Sequence, residues 1–197
     1  QDRVLFAHNG VIEGLAELDA RLAELGAASL VQGQTDSERI FALITAETAR
    51  RKGDVFDGLL AATSWISDHL PVYALNLVVS TATDLWALRY PAVHDLYVLE
   101  RPAGGTGASR ALDARSSRIH AQSTHLANRA CVLVASERMD DDPGWRLLES
   151  GELLHVNSHL TLDSSSPLAS VPRHRLDRSA LDSATAASQH PESSKPS

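Results

Sequence analysis

The residues best suited to do chemistry lie in two short runs near the start of the sequence, His8-Asn9-Gly10 and Thr35-Asp36. An Asn side-chain amide beside a Gly backbone N–H can aim two donors at one point. That arrangement stabilises the oxyanion formed when an amide or ester carbonyl is attacked. The same tripeptide also reads as a turn ending a strand, because Asn-Gly is a common turn pair and Gly tolerates conformations costly to other residues. Asp36, within Gln34-Thr35-Asp36-Ser37-Glu38, has two readings as well. A carboxylate at a helix start can cap backbone N–H groups and complement the helix dipole. With Thr35 as the cap instead, Asp36 is free to bind a ligand ammonium.

Other reactive side chains lack the company their chemistry needs. His120 and His125 have no cluster at ligand spacing, and His155 and His159 lack the Glu of a His-Glu-x-x-His helix, so all four read as surface or loop histidines. Cys131 opens an apolar run far from the amino terminus and reads as a packing residue. Asp140, Asp141 and Asp142 precede Pro143-Gly144 and read as a solvated turn. Gly104-Gly105-Thr106-Gly107 has neither the strand-to-helix setting of a dinucleotide loop nor the Gly-Lys-Ser/Thr end of a phosphate loop. No cofactor and no metal is expected.

Composition bounds the partners. The 197 residues, 43% hydrophobic and 22% charged, suit one domain of ordinary size. With 18 Lys and Arg against 25 Asp and Glu, a formal net charge of -7 argues against a nucleic-acid-binding surface and favours a neutral or zwitterionic small ligand. A single Cys excludes an internal disulfide and a four-thiolate zinc site, and it points to a reducing compartment. No stretch approaches the roughly 20 apolar residues of a membrane span, and the opening residues lack the pattern of a secretion signal. The expectation is a cytoplasmic protein with no membrane partner.

The elements that must position these groups follow from periodicity. Val4 to Ala7 reads as a strand running into the His8-Asn9-Gly10 turn. Ile12, Leu15, Leu18, Leu22 and Leu25 recur at helical spacing, with Gly26 placed to stop the run. A second helix starts at Thr35 or Asp36, where Thr35 and Glu38 match a capping box, and a third spans Val55 to His69 before Pro71. Short branched and aromatic runs then read as strands: Val72 to Ser80, Leu85 to Tyr90, Leu96 to Leu99, Cys131 to Ser136, Trp145 to Leu148 and Glu152 to Val156. Helices followed by mostly antiparallel strands suggest a layered α+β domain. Arg101 to Arg129 reads as a long loop or partly disordered insertion, or a border of the substrate pocket. From Thr161 to Ser197 the Ser-, Ala- and Pro-rich composition predicts a mobile tail after a folded part spanning residues 1–160.

Phe6-Ala7-His8-Asn9-Gly10-Val11-Ile12 and Gln34-Thr35-Asp36-Ser37-Glu38, read with LNLVVSTATDLWALRY and VLVASERMDDDPGW, resemble the class II glutamine amidotransferases of the amino-terminal-nucleophile hydrolase superfamily. The branch they look most like includes the ergothioneine-biosynthesis γ-glutamyl amidohydrolase. The resemblance implies an α+β fold, a four-layer α-β-β-α sandwich with mostly antiparallel sheets, incomplete in this chain alone. It makes Asn9 and Gly10 the oxyanion hole and assigns Asp36, with His8, to substrate binding, Asp36 meeting the α-ammonium of a glutamine or γ-glutamyl group.

In such enzymes an amino-terminal Cys attacks the γ-carbonyl and an upstream Arg holds the substrate carboxylate. This sequence starts at Gln1, and neither Cys131 nor Arg3 fills those positions. The resemblance therefore leads to the expectation of a subunit or fragment, inactive alone, with a second polypeptide as one source of the Cys and Arg. The other accounts are a fragment of a longer product and a noncatalytic remnant. The implied function is hydrolysis of a γ-glutamyl amide, with γ-glutamyl-hercynylcysteine sulfoxide as candidate substrate. The alternative is a noncatalytic glutamine- or γ-glutamyl-binding or regulatory subunit.

Overall fold

A computed structural model describes residues 4–104, 112–115 and 120–189. Strand β1 (Leu5–Ile12) opens the fold. Successive side chains of a strand point to opposite faces. Phe6, His8, Gly10 and Ile12 therefore share one face, and Leu5, Ala7, Asn9 and Val11 the other. Helices α1 (Leu15–Glu24), α2 (Asp36–Arg50) and α3 (Val55–His69) follow. Their apolar stripes meet as the spacing predicts: Leu18 and Leu22, Ile40 and Leu43, and Leu59 and Ile66 are buried in one cluster. Each terminus has a local cause. Gly26, at φ 69°, closes α1, its N–H donating to the Ala23 carbonyl (3.0 Å) while Ala27 N–H reaches the Leu22 carbonyl (2.8 Å). Thr35 caps α2 by accepting from Glu38 N–H (3.2 Å), and Asp54 caps α3 by accepting from Asp57 N–H (3.0 Å).

The strands that follow are β2 (Pro71–Ser80), β3 (Leu85–Leu88), β4 (Tyr97–Arg101), β5 (Leu112–Arg115), β6 (His120–Ser123), β7 (Cys131–Ala135), β8 (Arg146–Leu147), β9 (Leu153–Val156), β10 (Leu162–Ser165) and β11 (His174–Arg175), with a short helix α4 (Ser183–Ser188) after them. The main sheet runs β1-β2-β3-β9-β10, antiparallel throughout, and β11 adds a parallel pairing to the start of β2. A second sheet runs β7-β4-β8, and β5 and β6 form a separate hairpin. Leu75, Leu77, Val79, Trp86 and Leu88 turn one face of the main sheet to the helices. Ala87, Leu154, Val156 and Val78 turn the other to Val98, Leu148, Val132 and Val134 around the second sheet. Mostly antiparallel sheets packed against helices make this an α+β fold consistent with αββα layering. The described residues supply the helix, sheet and sheet layers. No helix among them is long and apolar enough to cross a membrane.

Three expectations are corrected by this architecture. His8-Asn9-Gly10 is not a turn: β1 passes straight through it, with His8 opposite Leu77, Asn9 opposite Asn76 and Gly10 opposite Leu75. What demands glycine there is close approach of backbone, since a Cβ on Gly10 would lie 2.0 Å from the Ala74 carbonyl oxygen. Within Arg101 to Arg129, β5 pairs with β6, and Leu112 and Leu126 pack beside Leu99, Met139 and Trp145. Residues 105–111 and 116–119 of that stretch lie outside the described residues. The expected tail from Thr161 instead supplies β10, β11 and α4 as far as residue 189, with Leu168 and Leu181 buried. Its apolar residues are widely spaced, with Leu176, Leu181 and Ala186 joining one cluster and Leu168 another, so they leave no periodic trace. Residues 190–197 of that segment lie outside the described residues.

Candidate active site

Strand β1 ends the main sheet among the described residues, so its outer edge is unpaired there. The ladder fixes what that edge presents. Leu75 N–H donates to the Tyr90 carbonyl (2.6 Å), away from β1. In an antiparallel pair, residues opposite each other either exchange both hydrogen bonds or point both sets outward. Gly10, opposite Leu75, accordingly turns its N–H to the open edge. The Asn9 side chain stands on the face away from the helices and is exposed. Its cross-strand neighbour Asn76 is buried and fully engaged, donating to the His94 and Asp95 carbonyls (3.2 Å each) and accepting from Tyr90 N–H (3.1 Å). Asn76 thus fixes the floor beside Asn9 without competing for its amide.

Asp36 begins α2, and because Thr35 serves as the cap its carboxylate is released to point at β1. Oδ2 accepts from Ile12 N–H (3.2 Å), and Oδ1 accepts from Ser37 N–H (2.6 Å) and the Ser37 hydroxyl (3.2 Å). A carboxylate offers about four acceptor positions, and the side chain keeps 21% of its surface exposed, which leaves room for one further donor. Ile12 follows Gly10 by two residues, about 6–7 Å along a strand. The carboxylate and the Gly10 N–H therefore share one stretch of edge. Glu38 supports the approach to this turn by accepting from the N–H groups of Gln32 (2.8 Å) and Gly33 (2.6 Å).

His8 lies on the helical face. Its side chain is 1% exposed, with Nδ1 2.9 Å from the Ser37 hydroxyl and 4.0 Å from Asp36 Oδ1. Nε2 is buried and has no hydrogen-bond partner among the described residues. Phe6, on the same face, stacks on Phe41 at 5.1 Å and packs β1 onto α2. Of the four candidates, His8 and Asp36 are thus brought together through Ser37, while Asn9 and Gly10 stand at the open face and edge. The ring expected to touch substrate is enclosed. Ser37 escaped sequence reasoning; the signal that could have found it is the alternation that turns His8 inward with Phe6 and Ile12.

Burial holds the His8 imidazole below its ordinary pKa, outweighing the Asp36 charge and the Ala74 carbonyl, which favour protonation; nearby His94 adds to the lowering. The folded protein therefore takes up this proton later than the unfolded chain as pH falls. The stability contribution is complete above the unfolded pKa of about 6.5 and is lost below it. We expect the melting temperature to drop between pH 7.5 and pH 5.5 more steeply in the wild type than in His8→Asn. Parallel slopes in thermal denaturation would remove His8 as the source.

The remaining candidates have structural duties. His120 pairs with Asp113 (2.6 Å), and His155 stacks on Trp86 (5.1 Å) while bonding Asp84 (2.8 Å). Burial pushes the Cys131 thiol up, away from a nucleophilic thiolate. Asp140 accepts from Asp142 N–H (3.1 Å) and the Trp145 indole (2.8 Å), and Asp142 from Gly144 N–H (2.8 Å), closing a turn. Among the described residues no group of three or more His, Cys, Asp or Glu is arranged to hold a metal ion.

Known proteins share this architecture. Glutamine phosphoribosylpyrophosphate amidotransferase from B. subtilis aligns over 85% of this chain and 30% of its own, at TM-score 0.54 and 22% identity. A glutamine aminotransferase class-II domain protein from Silicibacter pomeroyi aligns over 83% of this chain and 67% of its own, at TM-score 0.55 and 21% identity. A predicted glutamine amidotransferase from Pseudomonas aeruginosa aligns over 80% of this chain and 61% of its own, at TM-score 0.55 and 18% identity. At such identities the likeness is one of fold, and the chain spans between 30% and 67% of the length of these structures. No curated protein matches the sequence. The family model described as glutamine amidotransferases class-II matches residues 1–175, which include both β1 and the start of α2. The chain belongs to the class II glutamine amidotransferase family.

Proposed function

We propose that this chain supplies the oxyanion-stabilising and ammonium-binding part of a site that hydrolyses γ-glutamyl amides. The observation that carries the reading is the Asp36 carboxylate bonded to Ile12 N–H, two residues along the open edge from Gly10. In a γ-glutamyl group the α-nitrogen and γ-carbonyl oxygen lie roughly 5–6 Å apart when extended, by standard bond lengths. An ammonium on Asp36 therefore brings the γ-carbonyl to Gly10 N–H, with the Asn9 amide on the adjacent face. Attack on that carbonyl pushes negative charge onto its oxygen, and the two donors meet the charge as it forms.

The nucleophile comes from outside the described residues. The resemblance to the family nominates an amino-terminal Cys, together with an Arg for the substrate carboxylate, from a second polypeptide or another part of the same protein. It also nominates γ-glutamyl-hercynylcysteine sulfoxide as substrate. Cys131 is a free thiol rather than half of a disulfide, which supports a reducing compartment, and we propose the cytoplasm.

Asp36→Asn tests the ammonium contact. Removing a charge-assisted hydrogen bond is worth about 1.5–3 kcal/mol, so KM for a γ-glutamyl amide should rise at least about tenfold with kcat little changed. Steady-state kinetics of the full-length protein checks this, and an unchanged KM would refute it. Saturable binding with no turnover would identify a noncatalytic γ-glutamyl-binding protein instead.

A further inference from the structure

We propose that Ser37 is a positioning residue whose hydroxyl, anchored by the buried imidazole of His8, fixes the Asp36 carboxylate at the open edge of β1. The inference rests on the reading of Asp36 as the ammonium site. A short carboxylate at a helix start has several staggered rotamers open to it. Here one rotamer is held from three sides, by Ile12 N–H, Ser37 N–H and the Ser37 hydroxyl.

The hydroxyl carries a single hydrogen, and a carboxylate can only accept. A bond to an ionised acceptor is the stronger use of that hydrogen, so it goes to Asp36 Oδ1 at 3.2 Å. The Ser37 oxygen must then accept from His8, which assigns the ring proton to Nδ1 across the 2.9 Å contact. Nε2 is left beside Gly10 with no hydrogen-bond partner among the described residues, and the Ala74 carbonyl on that side is the acceptor that competes with Ser37 for the ring proton. An apolar side chain would fill this place on the inner face as Phe6 and Ile12 fill theirs, without an unpaired nitrogen. What the imidazole adds is the anchor for Ser37.

The arrangement also explains how two elements keep register. His8–Ser37 and Ile12–Asp36 tie the first turn of α2 to β1 on either side of Gly10. The donor for the carbonyl and the acceptor for the ammonium are thereby held at one spacing.

Two measurements on the full-length protein test the proposal. Long-range 1H–15N spectra should show His8 in the Nδ1–H tautomer, and Ser37→Ala should shift that population; an Nε2–H ring in the wild type overturns the anchor, whatever binds. Calorimetric titration with L-glutamine should show binding about tenfold weaker in Ser37→Ala, recovery to within about threefold in Ser37→Thr, and no further loss when Ser37→Ala is added to Asp36→Asn. Unaltered affinity in Ser37→Ala, or losses that multiply in the double variant, overturns the positioning role while the Asp36 reading stands. Unaltered affinity in Asp36→Asn, or no L-glutamine binding by the wild type, overturns the Asp36 reading and the positioning role with it.

Discussion

Replacing Asn9 with Ala is expected to lower kcat for a γ-glutamyl amide about 10²–10³-fold while KM shifts by less than about threefold. The asymmetry follows from where the charge is. A ground-state carbonyl asks little of the Asn9 amide, whereas the tetrahedral oxyanion asks for a full charge-assisted bond. Stability should hardly change, because the side chain is exposed on the open face of β1 and surface substitutions generally stay within about 0.5 kcal/mol. Kinetics and thermal melting of the same variant therefore separate chemistry from folding. A raised KM with kcat intact would move Asn9 out of the oxyanion hole and into ground-state binding.

Gly10→Ala is expected to fail in a different way, losing about 3 kcal/mol or more of stability along with activity. The new methyl would sit 2.0 Å from the Ala74 carbonyl oxygen and 2.4 Å from its carbon. Those atoms belong to the strand that pairs with β1, so relief requires the two strands to part. Gly26→Ala is the matched control. Nothing lies within 4 Å of a Cβ there, and only its φ of 69° resists a side chain, at a cost of about 1–2 kcal/mol. Urea denaturation of the two variants reads the difference, and equal losses would show that the contact with Ala74 does not set the requirement for glycine.

How much could be read from the sequence depended on whether the causes were local. Helices α2 and α3 were legible because apolar spacing, the Thr35 cap of α2 and the stop at Pro71 after α3 act within a few residues. The α+β class followed from the helices preceding the strands. His8-Asn9-Gly10 misled as a turn because Asn-Gly is a local signal, whereas its strand conformation is imposed by pairing with residues 75 to 77 of β2. The β5–β6 hairpin and the strands after Thr161 escaped for the same reason: Leu112, Leu168 and Leu181 pack against partners distant in sequence. Within the site, the freedom of Asp36 was open until Thr35 was seen to cap the helix. The role of Ser37 had no sequence signal of its own, since a hydroxyl in a first helical turn ordinarily serves the helix.

The pairing of β2 has a kinetic consequence. Its partners come from opposite ends of the matched region: β1 from residues 5–12, and β11 from residues 174–175, where His174 lies beside Pro71. The neighbour of β3 on its far side is β9, from residues 153–156. The three helices can form from local contacts as soon as they are synthesised, but the sheet beneath them must close loops of very different lengths before its ladders repay the entropy. Mixed folds dominated by such distant pairings fold in milliseconds to seconds rather than microseconds. During synthesis β2 can hold β1 and β3 early, and the Pro71 carbonyl can accept from Glu13 N–H (2.9 Å), yet the bond from Leu176 N–H to the Val72 carbonyl (2.9 Å) waits for the β11 segment. Nascent chains that stall before residue 175 leave that part of the strand open to other chains, and the ladder of β2 is complete among the described residues only after this short partner has cleared the ribosome.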